Sequence, residues 1–286
     1  MQDIILGSEA LAAGTVTRQD LRRRYVKLHH NVYVPTGMAL TARDRAYAAW
    51  LWSRRSATLA GLSAAALHGS RWLPTGGPAE LTRVRCGNPP GIAIHRETLL
   101  DDEVCLVSSI ECTTVARTAF DIGRRIPGDE AVVRIDALLN ATRVAPAEVA
   151  AVASRHPGAR GIRRLRETLK LVDGGAESPQ ETRVRLLLVR AGAPAPQTQI
   201  PIRNASGRVV RRIDMGWRDY RVGVEYDGGH HWTDPSAHAE DICRLDFLAE
   251  RGWIIVRVSA RHLRQEPQAI WHRAEQALRR RGWDGH

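Results

Sequence analysis

Two short apolar runs near the C-terminus, separated by a polar turn, constrain the fold of this chain more than any other feature. Residues 209–213 form the first run and residues 222–224 the second, with a turn at residues 217–220. Apolar runs of this length around a turn predict two strands that pair as a hairpin. Because side chains alternate between the two faces of a strand, the acidic residues at the ends of these runs have defined positions.

Acidic residues end both predicted strands. Asp214 ends the first, and Glu225 and Asp227 lie on one face of the second because they are two residues apart. If the strands pair, three carboxylates converge just before a glycine-rich turn. Such a cluster is costly unless a cation lies among the carboxylates or one of them holds a proton. Mg²⁺ prefers hard oxygen ligands, so we predict that Mg²⁺ (or Mn²⁺) binds here.

The rest of the last segment predicts a compact α/β domain. Ser178 and Glu181 are spaced as a capping box at the start of a helix, with Pro179 at the favoured first position. Strands are expected at 197–202, 209–214, 222–227 and 254–258, and helices at 178–189, 235–250 and 267–280. The order α-β-β-β-α-β-α is that of a mixed α/β domain.

The first residues predict a small winged helix-turn-helix. A helix closes before Gly14, and Thr17 and Asp20 approximate a capping box for the basic helix 18–24. A hairpin at 26–35 follows, with its tip at 29–31. In a winged helix-turn-helix the second helix enters the major groove and the β-wing contacts the backbone. The alternative is a solvated amphipathic helix beside an ordinary hairpin. The predicted DNA-binding residues here are Thr17, Arg18, Arg22, Arg23, Arg24, Lys27 and His30.

The middle of the chain is alanine-rich and predicted to be mostly helical. Helices are expected at 46–52, 59–67, 113–122 and 129–140, and strands at 81–85 and 92–95. It contains no nucleophile with a base at useful spacing and no phosphate loop, and we interpret His68 and His95 as structural. We therefore predict a scaffold or interaction module. The domains are expected at 1–38, 39–173 and 176–286, and the fold class is α/β (α+β overall).

Charge favours a polyanionic partner, because the formal net charge is +11. Of the 42 basic residues only Lys27 and Lys170 are lysine, a bias that a GC-rich coding sequence also produces. No apolar run approaches the ~20 residues that span a bilayer, which predicts a cytoplasmic protein without a membrane partner.

The cysteines and histidines give little sign of a metal site. Cys86, Cys105, Cys112 and Cys243 have no C-x-x-C spacing, which argues against zinc and against a disulfide framework, and we interpret them as small buried hydrophobes. A second group invites a zinc hypothesis, but its spacing matches no closed tetrahedral pattern. Its members are His230, His231, Asp234, His238 and Asp241.

The C-terminal segment resembles the PD-(D/E)XK nuclease superfamily, and in particular the branch of very-short-patch-repair endonucleases. The matching residues are Ser178–Arg183, Ile213-Asp214, Val224–Gly228, His231, Asp241, Arg244 and Gly252–Arg257. The resemblance implies a metal-dependent DNA endonuclease in which Asp214 and Glu225 bind the metal.

The same resemblance implies the secondary roles of the site. Asp227 stands where most of the superfamily has lysine, so proton transfer passes to His231 or His230. Glu181 orients a water or completes the metal shell, and Arg244 contacts the DNA phosphate.

The N-terminal half resembles AbiEi-type antitoxins and related mycobacterial-type regulators. The residues that carry this resemblance are Asn31–Pro35, Thr58–Gly69 and Thr113–Asp121. It implies a winged helix that binds promoter DNA and an adjoining domain for toxin neutralisation or assembly. A toxin partner through the middle domain is therefore expected, and the oligomeric state stays open.

Two functional hypotheses follow from these patterns. The first is a DNA-binding protein whose C-terminal domain hydrolyses phosphodiester bonds with the help of a metal ion. The alternative is an antitoxin-like DNA-binding transcriptional regulator whose nuclease-like domain is structural or inactive. A third interpretation treats the acidic residues as a solvated strand edge.

Overall fold

The chain divides into two compact units, Met1–Gly174 and Gly175–His286. This structure is a computed structural model that describes residues 3–83, 87, 89–228 and 235–285. Within those residues, helices alternate with three sheets of three, five and four strands. The mixture confirms the predicted α/β class of fold. The finer domain boundaries, including the one near residue 38, stay predictions.

The first unit begins with a small antiparallel sheet beside two short helices. Its elements are β1 (Ile5–Leu6), α1 (Gly7–Ala12), α2 (Arg18–Arg24), β2 (Tyr25–His29), β3 (Val32–Pro35) and α3 (Ala42–Trp52). The strand order is β1-β3-β2, and both pairings are antiparallel. Helix α2 and the hairpin β2–β3 therefore form as predicted.

A helix beyond the hairpin completes the core of this first part. Ala48 and Leu51 of α3 pack with Leu6, Val32 and Val34 of the small sheet. The opposite side of the same helix contributes alanine side chains to the next apolar cluster. Because α3 contributes to both cores, burial of apolar surface ties the N-terminal elements to the rest of the first unit.

The remainder of the first unit is a five-stranded sheet covered by helices. Its elements are β4 (Thr58–Leu59), α4 (Gly61–Leu67), β5 (Ala79–Thr82), β6 (Ile92–His95), a 3₁₀ helix (Asp101–Glu103), β7 (Val104–Val107), β8 (Ile110–Thr113), α5 (Val115–Arg125), α6 (Asp129–Thr142), α7 (Pro146–Arg155) and α8 (Ile162–Leu169). The strand order is β6-β5-β4-β8-β7. A helical cluster around Phe120, Ile135 and Leu165 forms a second core beside the sheet.

Three expectations for the middle of the chain were wrong in detail. Leu59 belongs to strand β4 and Thr113 to strand β8, whereas both were expected in helices. The hairpin β7–β8 was not expected at all. Strand β4 has two residues and β7 is apolar throughout, so neither displays a period-2 pattern. The predicted strand at 81–85 ends at Thr82, and its last two residues lie outside the described part.

The second unit has the predicted order with one helix added. Its elements are α9 (Pro179–Arg190), β9 (Gln197–Arg203), β10 (Val209–Trp217), β11 (Val222–Asp227), α10 (Pro235–Glu250), β12 (Ile254–Ser259), α11 (Ala260–Gln265) and α12 (Pro267–Arg280). The sheet order is β12-β11-β10-β9. Strands β9, β10 and β11 are antiparallel neighbours, and β12 pairs parallel to β11.

Two apolar clusters hold this sheet to its helices. The larger joins Val184 of α9 and Ile270 of α12 to Met215, Val224 and other strand residues. The smaller joins Leu248 of α10 to the isoleucines of β9 and β10. The helices therefore fix the relative positions of the strands that carry Asp214 and Glu225, although β10 continues to Trp217 and does not end at Asp214 as predicted.

Candidate functional site

The basic residues predicted to bind DNA are exposed. Arg18, Arg22, Arg23 and Arg24 are all exposed on α2, and each of the seven residues of that helix stays at least partly accessible to solvent. The Arg24 guanidinium lies 3.9 Å from Asp20, an exposed pair of little energetic weight. The helix is therefore free to present its charge to a polyanion.

A reciprocal cap fixes the start of this helix. The Thr17 hydroxyl accepts a hydrogen bond from the Asp20 backbone N–H at 3.1 Å, and the Asp20 carboxylate accepts from the Thr17 N–H at 2.9 Å. The Thr17 hydroxyl also donates to that carboxylate and lowers the pKa of Asp20. The predicted capping box is confirmed.

The hairpin that follows is tied to the first helix at its tip. Asn31 has a φ of +62° and its carbonyl accepts from the Gly7 N–H at 2.9 Å, while its side chain accepts from the Ser8 N–H at 2.9 Å. Any Cβ at Gly7 lies 2.6 Å from the Tyr33 ring, so this close approach requires glycine. Lys27 on β2 and His30 at the tip are exposed. The structure therefore positions all predicted N-terminal DNA contacts on a fixed helix and hairpin.

A buried network of charges, which sequence reasoning missed, lies in the middle of the chain. Arg117 of α5 is 2% exposed, and its guanidinium donates to Glu103, to Asp121 at 3.3 Å and to Glu97 at 3.0 Å. Arg124 donates to the Asp121 carboxylate at 2.9 Å and also contacts Glu97. Each of these carboxylates therefore has at least one guanidinium partner.

This network is balanced, in the sense that its positive groups offset the cost of burying its acids. Burial raises the pKa of Glu103, but the hydrogen bond from His156 at 2.5 Å and the charge of Arg117 outweigh it, so the net pKa is lowered. Burial also raises the pKa of Glu97. The hydrogen bond from Arg124 and the charges of the neighbouring arginines outweigh burial, so the net pKa of Glu97 is lowered. The acids are therefore ionised and paired. In the sequence the one local signal was the spacing of Arg117 and Asp121, which are four residues apart in helix α5.

A second charged cluster lies in the other unit, and it is acidic. The Glu225 side chain on β11 is nearly inaccessible, with a residue exposure of 3%. The Arg244 guanidinium of α10 donates to both of its oxygens, at 3.2 and 2.6 Å. Asp214 lies one residue beyond the last registered pair of β10 and β11, and its carboxylate accepts from the Tyr226 N–H at 2.8 Å. These contacts bring Asp214, Glu225 and Arg244 into one site.

Glu181 of α9 is the third carboxylate of this cluster. It is buried, and its oxygens accept from the Glu177 N–H at 2.9 Å and the Ser178 hydroxyl at 2.8 Å. The Ser178 hydroxyl oxygen accepts from the Glu181 N–H at 3.2 Å, as an N-cap does. The predicted capping box is incomplete, because the carboxylate reaches one residue further back, to Glu177, instead of bonding the Ser178 N–H.

The acidic cluster carries more negative charge than its partner offsets. Burial raises the pKa of Asp214, and the charges of Glu181 and Glu225 raise it further, to about 7, against the opposing effects of the Tyr226 N–H and Arg244. Burial is also the main cause that raises the pKa of Glu181. Near neutral pH the cluster therefore binds a proton, and a cation could take the place of that proton.

Asp227 is engaged elsewhere, which differs from the predicted convergence of three carboxylates. Its carboxylate accepts from the Arg257 guanidinium of the neighbouring strand β12 at 2.5 Å. The charges that act on Asp214 come instead from Glu181 and Glu225. The predicted proton-transfer residue His231, with His230 and Asp234, lies outside the described residues, as do the side chains of His238 and Asp241.

The acidic cluster offers the type of ligand atom that a hard cation prefers. Its three carboxylates do not, however, bring their ligand atoms within 4.8 Å of one another. Asp214 and Glu225 supply the carboxylate oxygens that Mg²⁺ prefers. Among the residues that the structure describes, however, one group of three potential ligands has all its ligand atoms within 4.8 Å of one another, and that group is His68, Cys105 and Cys112. Arg244 also engages both oxygens of Glu225.

The sheet and helices of the middle segment match a known protein family. Residues 57–171 match the family described as AbiEi antitoxin C-terminal domain, which confirms the AbiEi part of the resemblance. This match includes both the five-stranded sheet and the buried Arg117 network.

Two relatives extend the likeness beyond that domain. Uncharacterized protein Rv2248 and Uncharacterized protein MT2308, both of Mycobacterium tuberculosis, are each 32% identical over 197 residues, which is 69% of this chain and 72% of the relative. The chain therefore belongs to the same family as these mycobacterial proteins, and it carries an AbiEi antitoxin C-terminal domain at residues 57–171. Among the helices that the structure describes, none is both long and apolar enough to cross a membrane.

Proposed function

We propose that this protein is an antitoxin-like DNA-binding regulator that contacts DNA through α2 and the β2–β3 hairpin. The observation that carries the proposal is a capped basic helix with exposed arginines, joined to an AbiEi antitoxin C-terminal domain. Antitoxins of this name act in pairs with toxins, so the proposed protein partner is a toxin that binds the middle domain. The proposed cellular location is the cytoplasm.

The charges of α2 suit phosphate contacts better than base readout alone. Arg22, Arg23 and Arg24 are consecutive, so they point in different directions around a two-turn helix. Arginine forms bidentate hydrogen bonds with phosphate, and such contacts fix the register of a protein on the duplex. The exposed Lys27 on the hairpin adds a further cation beside this helix.

The test is duplex DNA binding by the full chain, followed by fluorescence anisotropy at fixed salt. The variant replaces Arg22, Arg23 and Arg24 by alanine, and we expect its affinity to fall at least tenfold. A matched control replaces Arg279, Arg280 and Arg281, which are also consecutive and exposed, by alanine. Equal loss in both variants, or no loss in the first, contradicts the proposal.

A second candidate function is metal-dependent cleavage of DNA by the C-terminal unit, as the resemblance to PD-(D/E)XK nucleases implies. The observation that favours it is the buried carboxylate cluster, in which burial and then the charges of Glu181 and Glu225 raise the pKa of Asp214 to about 7. In this proposal Asp214 and Glu225 hold a Mg²⁺ or Mn²⁺ ion. A bound divalent ion supplies Lewis-acid activation of water and of the phosphodiester.

The residues around the cluster would each have a separate task in this candidate. Arg244 would leave one Glu225 oxygen and turn towards the phosphate, where a guanidinium stabilises developing charge. Glu181 would position a water, since it already accepts hydrogen bonds from two groups at the start of α9. Asp227 and His231 would serve as supporting acid and proton-transfer residue.

A cleavage assay separates this candidate from the regulator proposal. Supercoiled, linear, single-stranded and mismatched DNA are incubated with the protein and Mg²⁺ or Mn²⁺, and nicks are counted on gels. The candidate predicts cleavage that Asp214→Asn abolishes and that Asp246→Asn, an exposed acid on α10, leaves unchanged. No cleavage by the wild type, or equal cleavage by Asp214→Asn, removes this candidate and leaves the regulator proposal intact.

A further inference from the structure

Two thiols lie side by side in the middle of the AbiEi-type domain. Cys105 on β7 and Cys112 on β8 are direct partners in the register of the hairpin, and their sulfur atoms are 3.8 Å apart. The two-residue turn that sets this register is Ser108-Ser109, both with left-handed φ values of +50° and +64°. Seven residues of sequence separation thus become direct adjacency across a sheet.

An imidazole from a different element completes the group. His68 follows the last residue of α4, and its Nε2 lies 3.8 Å from the Cys112 sulfur. The ligand atoms of His68, Cys105 and Cys112 all lie within 4.8 Å of one another. Three side chains from three elements therefore point at a common volume.

The spacing of these atoms matches the requirements of one kind of ion. Tetrahedral zinc sites have Zn–S bonds of about 2.3 Å and Zn–N bonds of about 2.0–2.1 Å, so two sulfur ligands lie about 3.8 Å apart and sulfur and nitrogen about 3.5 Å apart. The observed separation is 3.8 Å between the two sulfur atoms and 3.8 Å between the Cys112 sulfur and the His68 Nε2. The Cys105 sulfur and the His68 Nε2 lie within 4.8 Å of each other. We propose that His68, Cys105 and Cys112 bind a Zn²⁺ ion with one coordination position left for water.

The surroundings allow an ion to enter and a water to bind. Cys112 is fully buried, whereas Cys105 is half-buried and lines an open cleft of about 470 Å³ that also includes Asp101 and Glu111. A site with three protein ligands and an opening to solvent has the ligand count of a zinc site that retains an exchangeable position.

Binding requires two changes in the histidine. Its Nε2 lies 2.7 Å from the Thr113 carbonyl oxygen, which can only accept, so this nitrogen carries the proton in the metal-free chain. Zinc binding turns the ring so that Nε2 leaves this carbonyl and directs its lone pair at the ion, and the proton moves to Nδ1. Both thiols also lose their protons, so zinc binding is expected to weaken as the pH falls.

A disulfide is the competing chemistry of the same two cysteines. It needs a sulfur–sulfur bond of about 2.05 Å, whereas the sulfur atoms lie 3.8 Å apart. A disulfide also gives His68 no role. Zinc uses all three side chains and connects β7 and β8 to α4, so it is expected to stabilise the AbiEi-type domain against unfolding.

The test titrates the reduced full chain with Zn²⁺ against a chromophoric chelator and follows Co²⁺ binding by its thiolate charge-transfer absorption. We expect one zinc ion per chain and an increase of Tm on zinc addition, and we expect excess Mg²⁺ not to displace the bound zinc. Cys105→Ser and His68→Gln are each expected to weaken zinc binding at least tenfold. The control variant replaces Cys86 and Cys243 by serine and is expected to bind like the wild type.

Three outcomes overturn the proposal. One is zinc binding that survives both Cys105→Ser and His68→Gln. Another is binding that the control variant loses. The third is a wild type that binds no zinc when reduced and yields only a Cys105–Cys112 disulfide on air oxidation. Because Cys105 is half-buried and its variant changes one sulfur to oxygen, circular dichroism verifies folding of each variant before titration.

Discussion

The two buried charged clusters of this protein differ in their balance. Around Arg117, four arginines and a histidine face three acids, and the pKa values of Glu97 and Glu103 are lowered. Around Asp214, Arg244 pairs with Glu225, while burial and the charges of Glu181 and Glu225 raise the pKa of Asp214 to about 7. A balanced cluster holds a fold together, whereas an unbalanced cluster costs stability and has affinity for a cation or a proton.

This difference assigns different tasks to the two regions. The Arg117 network connects α5 to the segment before β7 and to His156 after α7, and it lies inside the AbiEi-type domain. It acts as a scaffold for the elements around it. The acidic cluster is the feature of the second unit that packing alone does not account for, so it is the better candidate for ligand chemistry.

The largest expected effect comes from breaking the balanced network. Arg117→Ala leaves buried carboxylates without their partner and is expected to lower the free energy of unfolding by about 3–5 kcal/mol. Arg55→Ala removes an exposed bidentate pair with Glu9 and is expected to cost less than about 1 kcal/mol. Urea unfolding measures both. Similar costs for the two variants would mean that the Arg117 network is not the scaffold described here.

The acidic cluster around Asp214 predicts that the stability of the protein depends on pH. Unfolded Asp214 ionises near its ordinary value of 3.8, whereas the folded group keeps its proton until about pH 7. The stability of the wild type therefore falls as the pH rises between these values and stays lower above pH 7. Asp214→Asn lacks this titration and is expected to be more stable than the wild type at pH 8, by about 2–4 kcal/mol.

Denaturation series at pH 4 and pH 8 measure this difference. The advantage of Asp214→Asn is expected to shrink to less than about 1 kcal/mol near pH 4, where the folded carboxyl is neutral and the unfolded carboxyl is about half ionised. Asp246→Asn, with its exposed side chain, serves as the control and is expected to show no such trend. An Asp214→Asn variant that is less stable than the wild type at pH 8 would show that the cluster is balanced after all.

The smallest expected effect on stability comes from removing the N-cap of α2, the exposed basic helix. Thr17→Ala removes the cap of α2 and is expected to cost about 1 kcal/mol of stability. Thr41→Ala removes an equivalent capping box from α3 and is expected to cost a similar amount. Thermal unfolding combined with DNA anisotropy separates them, because only Thr17→Ala is expected to weaken DNA binding. Equal weakening by both would remove the special role of α2.

Local patterns of the sequence predicted the elements that carry the two candidate sites. The Thr17 cap, the β2–β3 hairpin and the order of the second unit follow from capping residues, turn residues and apolar periodicity, which act within a few residues. The acidic cluster was predicted in part: Asp214 and Glu225 lie together with Glu181, which the nuclease resemblance had placed at the site, whereas Arg257 binds Asp227. Such partners depend on which elements pack together, and spacing does not reveal that.

Two features were not predicted from the sequence. Arg117 meets Glu97 and Glu103 through contacts across 20 and 14 residues. Cys105 and Cys112 become adjacent only because the unexpected hairpin β7–β8 sets their register. Strand β7 is apolar throughout, so it lacks the alternation that predicted the equally short β6.

The salt dependence of DNA binding tests the regulator proposal most directly. Affinity of the full chain for a duplex is measured by anisotropy from about 50 to 200 mM salt, and the slope of log K against log salt counts phosphate contacts at about 0.9 per contact. Replacing Arg22, Arg23 and Arg24 by alanine is expected to reduce that slope by about 2–3 units. The Arg279, Arg280 and Arg281 control is expected to keep it. An unchanged slope in the α2 variant would contradict the account.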